Sequence, residues 1–236
     1  MSSINEKEIV KIIRETLGAD RKSRSINEAY VLQPKQYSIE TDVLSQKAIS
    51  ANVQDFDQTI KTCNEISAKL DTVDRAGSNE KDSPFRELKS AESYNLNSAF
   101  LSSLHLDNIA DPASKISMDS LAYIRLARDF GSFDEWQKDF IACALGARDG
   151  YVATVYNGSL NRYMNVMIDE STSGIMMNCF PVICLCVRPQ WYTRDYLNDR
   201  RSYLFAMMKE LRWSLVEQRI RKADKLAKIL SAPLEG

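Results

Sequence analysis

The sequence contains a single histidine, His105, among 236 residues. Three imidazoles cannot be assembled from one, so a metal centre with three histidine ligands is excluded by composition alone. Glycine and proline are scarce, at 8 and 6. With the long periodic runs described below, that scarcity points to a mostly helical chain. The five cysteines are Cys63, Cys143, Cys179, Cys184 and Cys186. They are odd in number and have no C-x-x-C spacing, which fits reduced, buried thiols in an intracellular protein rather than a disulfide framework. Neither sign of charge dominates, with 31 Lys and Arg against 32 Asp and Glu. A dominant nucleic-acid surface is therefore not expected, while a local basic patch stays open. No apolar run has membrane-spanning length and no secretory signal opens the chain, so neither a membrane partner nor secretion is expected. The first residues carry Glu6, Glu8, Glu15 and Asp20, a poor fit to an acid-poor mitochondrial presequence.

Along the chain, Ile4, Ile9, Val10, Ile12, Ile13 and Leu17 form an apolar stripe at helical spacing, ended by Gly18. A helix this short needs a surface to dock on, in this chain or another. Residues 19–41 read as an extended arm. From Leu44 to Leu70, Ile49, Val53, Phe56, Ile60, Cys63, Ile66 and Leu70 recur every three to four residues and predict a helix. Asp71 to Asp82 is a polar turn. Ser83-Pro84 opens a second helix that continues from Glu87 to Leu106. Asp107 to Lys115 reads as a linker and Ser117 to Arg128 as a short helix. Ser132 is an N-cap, with Glu135 completing a capping box, for a helix through Trp136, Phe140, Ile141, Ala144 and Leu145. Strands are expected near 150–157, 160–168 and 180–187, with Asn157-Gly158 as a hairpin turn. Pro189 ends the third strand and can start a helix. The last helix, Trp213 to Leu230, lies in a basic region with Lys209, Arg212, Arg219, Arg221, Lys222, Lys225 and Lys228. It reads either as a solvated face or as a contact for an acidic partner or nucleic acid.

Two stretches resemble the iron/manganese superoxide dismutases. The first is Asp129-Phe130-Gly131-Ser132-Phe133-Asp134-Glu135-Trp136, with the helix after it and the strand beginning at Gly150. The second runs from Phe180 to Trp213 and holds Asp195-Tyr196-Leu197-Asn198-Asp199-Arg200 and Tyr203. The resemblance covers roughly residues 43–222. It implies an α+β fold in which an N-terminal helical hairpin is followed by a helical domain with a three-stranded antiparallel sheet. The expected domains are an N-terminal helix and arm (1–42), a helical hairpin (43–110) and an α/β domain with a C-terminal helix (111–236).

In that family one iron or manganese ion is held by three histidines and an aspartate. The register puts Asn52, Ser98, Cys186 and Gln190 at those four positions. It puts Ile60 at an active-site tyrosine, Phe56 at a second helix histidine and Thr193 at a gateway tyrosine. The family's Glu-His dimer pair falls on Pro189 and Gln190. In Leu96–Ser102 only Asn97 and Phe100 match. The resemblance thus implies the fold and withdraws the ligands: no catalytic, cofactor-binding or metal residue is expected. Asn52, Ser98 and Gln190 either form a small polar network, with Cys186 as a small apolar residue, or repack without mutual contact. His105 aligns with no ligand and is expected at the surface or as a cap. Cys184 and Cys186 share a strand face, but two thiolates fall short of the usual four ligands.

The function expected from this pattern is a non-catalytic structural subunit of a large assembly, not an enzyme, similar to the dismutase-like subunits of the mitochondrial ribosome's small subunit. It carries a mitochondrial location, protein partners bound through the N-terminal arm, and a possible acidic or rRNA contact at the basic helix. Alternatives are another assembly, such as a virus particle, or a divergent superoxide dismutase.

Overall fold

A computed structural model describes residues 29–109 and 111–230. The stripe at 4–17 and the arm from 19 to 28 lie outside these residues. Among the described residues there are seven helices, α1 (Gln46–Thr72), α2 (Pro84–Asn108), α3 (Leu121–Phe130), α4 (Phe133–Gly146), α5 (Pro189–Tyr196), α6 (Arg200–Lys209) and α7 (Trp213–Leu230). Three antiparallel strands, β1 (Gly150–Asn157), β2 (Arg162–Asp169) and β3 (Cys179–Cys186), form one sheet in the order β2-β1-β3. The expected α+β class and the three-stranded antiparallel sheet are both present. No described helix is long and apolar enough to cross a membrane.

The chain divides into two compact units, one of residues up to Tyr37 with Val53–Phe100, the other of Ser38–Asn52 with Leu101 onward. In the first, the periodic apolar run of α1 is buried at Phe56, Ile60, Cys63, Ile66 and Leu70. Asn64 on the same helix holds the arm as a strand partner would: its side-chain oxygen accepts from Leu32 N–H at 2.7 Å and its amide donates to Leu32 C=O at 3.0 Å. The turn after α1 is built by side chains. Asp74 accepts from the N–H groups of Ala76 and Gly77, and Asn79 from those of Lys81 and Asp82. Ser83 then caps α2, accepting from Arg86 N–H at 3.3 Å, with Pro84 in the first turn, where its missing N–H costs nothing.

In the second unit β1 is the central strand and is buried along its whole length, which explains its nearly unbroken apolar sequence. Gly150 starts it because a Cβ there would fall 1.9 Å from the Ile168 carbonyl oxygen. α4 packs on β1 and β2, and α7 on β3. The Phe-Gly-Ser-Phe corner joins α3 to α4. Gly131 ends α3 at φ +89°, a conformation that other residues adopt only with strain. Ser132 caps α4, accepting from Glu135 N–H at 3.0 Å. The reciprocal half of the expected capping box gives way to an ion pair of Glu135 with Lys138. Asp129 fastens the corner to the sheet by accepting from Tyr163 N–H at 2.7 Å.

Two boundaries differ from expectation. The short helix starts at Leu121 rather than Ser117, because Ser120 is the cap that accepts from Tyr123 N–H. The hairpin closes with four loop residues rather than on a two-residue Asn157-Gly158 turn. Asn157 pairs with Arg162, its side chain accepts from the N–H groups of Ser159 and Leu160, and Asn161 takes the left-handed conformation. The helix α6 is additional to the elements expected from the sequence.

Candidate functional site

The site is built around the outer edge of β3. In an antiparallel strand alternate residues turn both backbone polar groups to the same side, and at an edge strand one of the two sides has no neighbouring strand. In β3 the edge groups of Val182, Cys184 and Cys186 meet side chains instead. The Cys184 N–H donates to Asn108 Oδ1 at 2.9 Å, and the Cys186 N–H to His105 Nδ1 at 3.2 Å. The Tyr203 hydroxyl donates to Cys186 C=O at 2.8 Å, and the Arg219 guanidinium to Val182 C=O at 3.4 Å. His105 and Asn108 come from one face of α2, Tyr203 from α6 and Arg219 from α7. Arg219 also donates to Asn108 Oδ1 at 2.7 Å and pairs with Asp107 at 3.5 Å. The edge is thereby occupied by the protein itself, as buried backbone polar groups require.

The residues of the DYLNDR stretch hold the frame around this edge. Asp195 accepts from Ser45 N–H, and the Tyr196 hydroxyl donates to Val43 C=O. Asp199 caps α6 by accepting from Ser202 N–H. Arg200 donates to the carbonyl groups of Ala147 and Arg148 and to the Tyr192 hydroxyl. Tyr192 stacks on Tyr203 at 4.9 Å. The end of the arm is held in the same unit, with Glu210 accepting from the Thr41 hydroxyl and from Asp42 N–H.

Residues 120–219 match the family described as iron/manganese superoxide dismutases, C-terminal domain. A superoxide dismutase [Mn] 1 of Halobacterium salinarum is 32% identical over 99 residues, 42% of this chain and 49% of the relative. The chain thus spans about half the length of the first relatives it matches. A superoxide dismutase [Fe] of Cupriavidus metallidurans is 27% identical over 183 residues, 76% of this chain and 90% of the relative. One of Aquifex aeolicus is 27% identical over 165 residues, covering 69% and 76%.

The chain is superoxide-dismutase-like.

That likeness corrects the function expected from the sequence. A structural, non-enzymatic subunit of the mitochondrial ribosome or of another particle is overturned by relatives named as superoxide dismutases, one of them matched over 76% of this chain. None of these relatives carries a ribosomal name.

The family likeness implies iron or manganese, and the dismutase-like chain can be tested for it residue by residue. Asn52 on α1 and Cys186 at the end of β3 are both buried. Asn52 donates through its side-chain amide to Trp191 C=O at 3.1 Å. Gln190 is exposed, because α5 turns Trp191 and Tyr192 inward and position 190 outward. The expected network of Asn52, Ser98 and Gln190 is therefore not formed: Gln190 faces out, and Asn52 bonds to the main chain. Ser98, Phe56 and Ile60 are buried in the first unit. Among the described residues no group of three or more His, Cys, Asp or Glu side chains is placed to hold a metal ion. An amide, an alcohol, one thiol and an exposed amide are not the hard anionic and imidazole donors that iron and manganese take. The residues at the four positions do not fit the ion.

His105 is the residue that sequence reasoning misplaced. Expected at the surface or as a cap, it is fully buried, with its ring edge-on to Trp191 at 5.1 Å. Leu101, Leu104 and Asn108, at neighbouring helical positions, are buried as well, so the period of α2 was the signal that could have placed it. Since Nδ1 accepts from Cys186, the proton of the neutral ring sits on Nε2. Burial lowers its pKa to about 3, with a hydrogen bond to the Cys184 backbone acting the other way. Burial also pushes the Cys184 thiol and the Tyr203 phenol upward. These groups are neutral at pH 7. Two buried guanidiniums lie close by: Arg188 over the Tyr151 ring at 5.1 Å, and Arg219 on Asn108. Arg219 is therefore no part of a basic contact surface. Lys225 and Lys228 of the same helix are exposed.

The lowered pKa of His105 gives a pH dependence with a defined sign. The unfolded ring takes a proton near pH 6.5 and the folded ring only near pH 3, so between these values the unfolded state binds more protons and stability rises with pH. The contribution is complete above pH 6.5 and is lost as pH falls toward 3, with a slope of up to about 1.4 kcal/mol per pH unit. Urea unfolding of the wild type and of His105→Gln at pH 7, 6 and 5 measures it. The gap between the two proteins is expected to narrow or reverse as pH falls, and a gap independent of pH would contradict the neutral buried ring.

Proposed function

We propose that this chain is a divergent enzyme of superoxide chemistry, with superoxide or a closely related small oxygen species as its substrate class. The observation that carries this reading is the 183-residue similarity to a protein named superoxide dismutase [Fe]. The frame supports it. The strand that ends at Cys186, the helices α5 and α6 that follow it, and the Tyr203 grip on the Cys186 carbonyl all lie within residues 120–219, which match the family. The three-histidine, one-aspartate centre is not part of the proposal, since the residues at its positions do not fit the ion. The purified full chain tests it. Superoxide is expected to decay faster in its presence than with an inert protein at equal concentration, and decay at the inert rate would overturn the reading.

A further inference from the structure

We infer that the side chains at positions 52, 98, 186 and 190 hold neither iron nor manganese, and that the strand end carrying position 186 is fixed by the protein's own hydrogen bonds. Three observations, each independent of the others, support this.

The first is direction. A fourth ligand at position 190 would have to face inward with position 186, but Gln190 is exposed and its neighbour Trp191, 1% exposed, takes the inner side of α5. The helix turn that buries Trp191 and Tyr192 cannot also bury residue 190.

The second is commitment. Asn52 already spends its amide donor on Trp191 C=O, and Trp191 in turn meets His105. The Cys186 N–H and C=O are taken by His105 and Tyr203. Asn52, Trp191, His105 and Cys186 thus form one continuous buried set, in which the Asn52 amide and the Cys186 backbone groups are hydrogen-bonded and the His105 and Trp191 rings meet edge-on. These bonds fix the Asn52 amide and the strand end at Cys186 without an ion, and shifting them to suit one would leave buried polar groups without partners, which is costly.

The third is charge. A divalent cation in a medium of low dielectric needs anionic donors, and none of the four aligned residues is a carboxylate. The buried cations of this region are already present as Arg188 and Arg219. Arg219 acts on the Cys184 thiol and Arg188 on the Tyr151 phenol. A further cation placed beside them would be repelled.

This inference concerns metal content and does not rest on superoxide turnover, so either can fail without the other. The test uses the full chain produced in medium supplemented with iron or with manganese. Elemental analysis follows, together with thermal unfolding in the presence and absence of added Mn²⁺ or Fe²⁺. The same measurements on Asn52→Ala, Cys186→Ala and the surface variant Gln190→Ala complete it. The expected result is far less than one ion per chain in every protein and a Tm that the added ions leave unchanged, since an ion bound only by the folded state would raise it. An ion retained after all three substitutions would lie elsewhere and uphold the inference. Near one ion per chain in the wild type, lost together with its Tm increase in Asn52→Ala or Gln190→Ala, would overturn it. The Gln190 variant changes an exposed side chain and keeps the test valid if a core variant fails to fold.

Discussion

Trp136→Ala is expected to lower stability by about 4 kcal/mol, within the range for removing a large aromatic side chain from a core. Trp136 is fully buried and lies against Phe133, Phe140 and Trp213, with ring centroids 4.9, 5.7 and 5.8 Å away. It also anchors a polar chain that crosses the sheet. Its indole N–H donates to Thr154 Oγ1 at 2.9 Å, and that hydroxyl donates to Asn165 Oδ1 at 2.6 Å. The Asn165 amide returns to Trp136 C=O and to Asp139. Truncation to alanine therefore leaves a cavity and unties Thr154. Trp136→Phe, which keeps most of the volume, should recover more than half of the loss. Urea unfolding followed by circular dichroism measures both. A Trp136→Ala loss below about 1.5 kcal/mol, the size expected of a tolerated apolar swap, would show that this residue is not the core anchor.

Arg219→Ala is expected to cost about 3 kcal/mol, the lower end of the range for removing one partner of a buried charge-assisted cluster. The change takes away the donor to Asn108 Oδ1, the contact with Val182 C=O and the partner of Asp107. Asp107 keeps some solvent access, with a side chain 20% exposed, which holds the expected loss at the low end. Arg219→Lys should restore only part of it, because an ammonium cannot reproduce the forked geometry of the guanidinium. The urea midpoint should shift at constant m-value, and a cost under about 1 kcal/mol, typical of an exposed pair, would contradict the role given to Arg219.

The elements most legible in the sequence were those fixed by local chemistry. The first strand was expected at 150–157 and runs Gly150–Asn157, since an apolar run bounded by Gly and Asn leaves little choice. The third was expected at 180–187 and runs Cys179–Cys186. The helix cap at Ser132 could be read from a single residue, and the start of α2 from Ser83-Pro84. The short helix was expected from Ser117 and begins instead after Ser120, where contact with the rest of the protein sets its start. The Ala122 N–H is taken by Glu217 of α7, which fixes the helix start at Ser120.

The site was legible in part. The absence of strong donors at positions 52, 98, 186 and 190 follows from residue identity, but their arrangement does not. Whether residue 190 or 191 of a short helix faces inward is decided by what each would bury, and the indole of Trp191 has far more apolar surface than the Gln190 amide. The burial of His105 depends on the edge of β3, a partner far away in sequence whose unpaired N–H groups call for acceptors at that height on α2. The four side chains that close this edge share no motif, and spacing alone could not have assembled them.

Amide hydrogen exchange at Cys184 and Cys186 in the full chain tests the claim about this edge most directly. A strand edge open to water exchanges quickly, whereas an N–H bonded to a buried acceptor exchanges only on opening. Both amides are expected to be protected to the same degree as that of Val187, which bonds to Gly150 C=O within the sheet. In His105→Leu, Cys186 should lose protection while Cys184, held by Asn108, keeps most of its own. Rapid exchange of Cys184 and Cys186 in the wild type, or equal loss at both in the variant, would contradict an edge closed by these separate side chains.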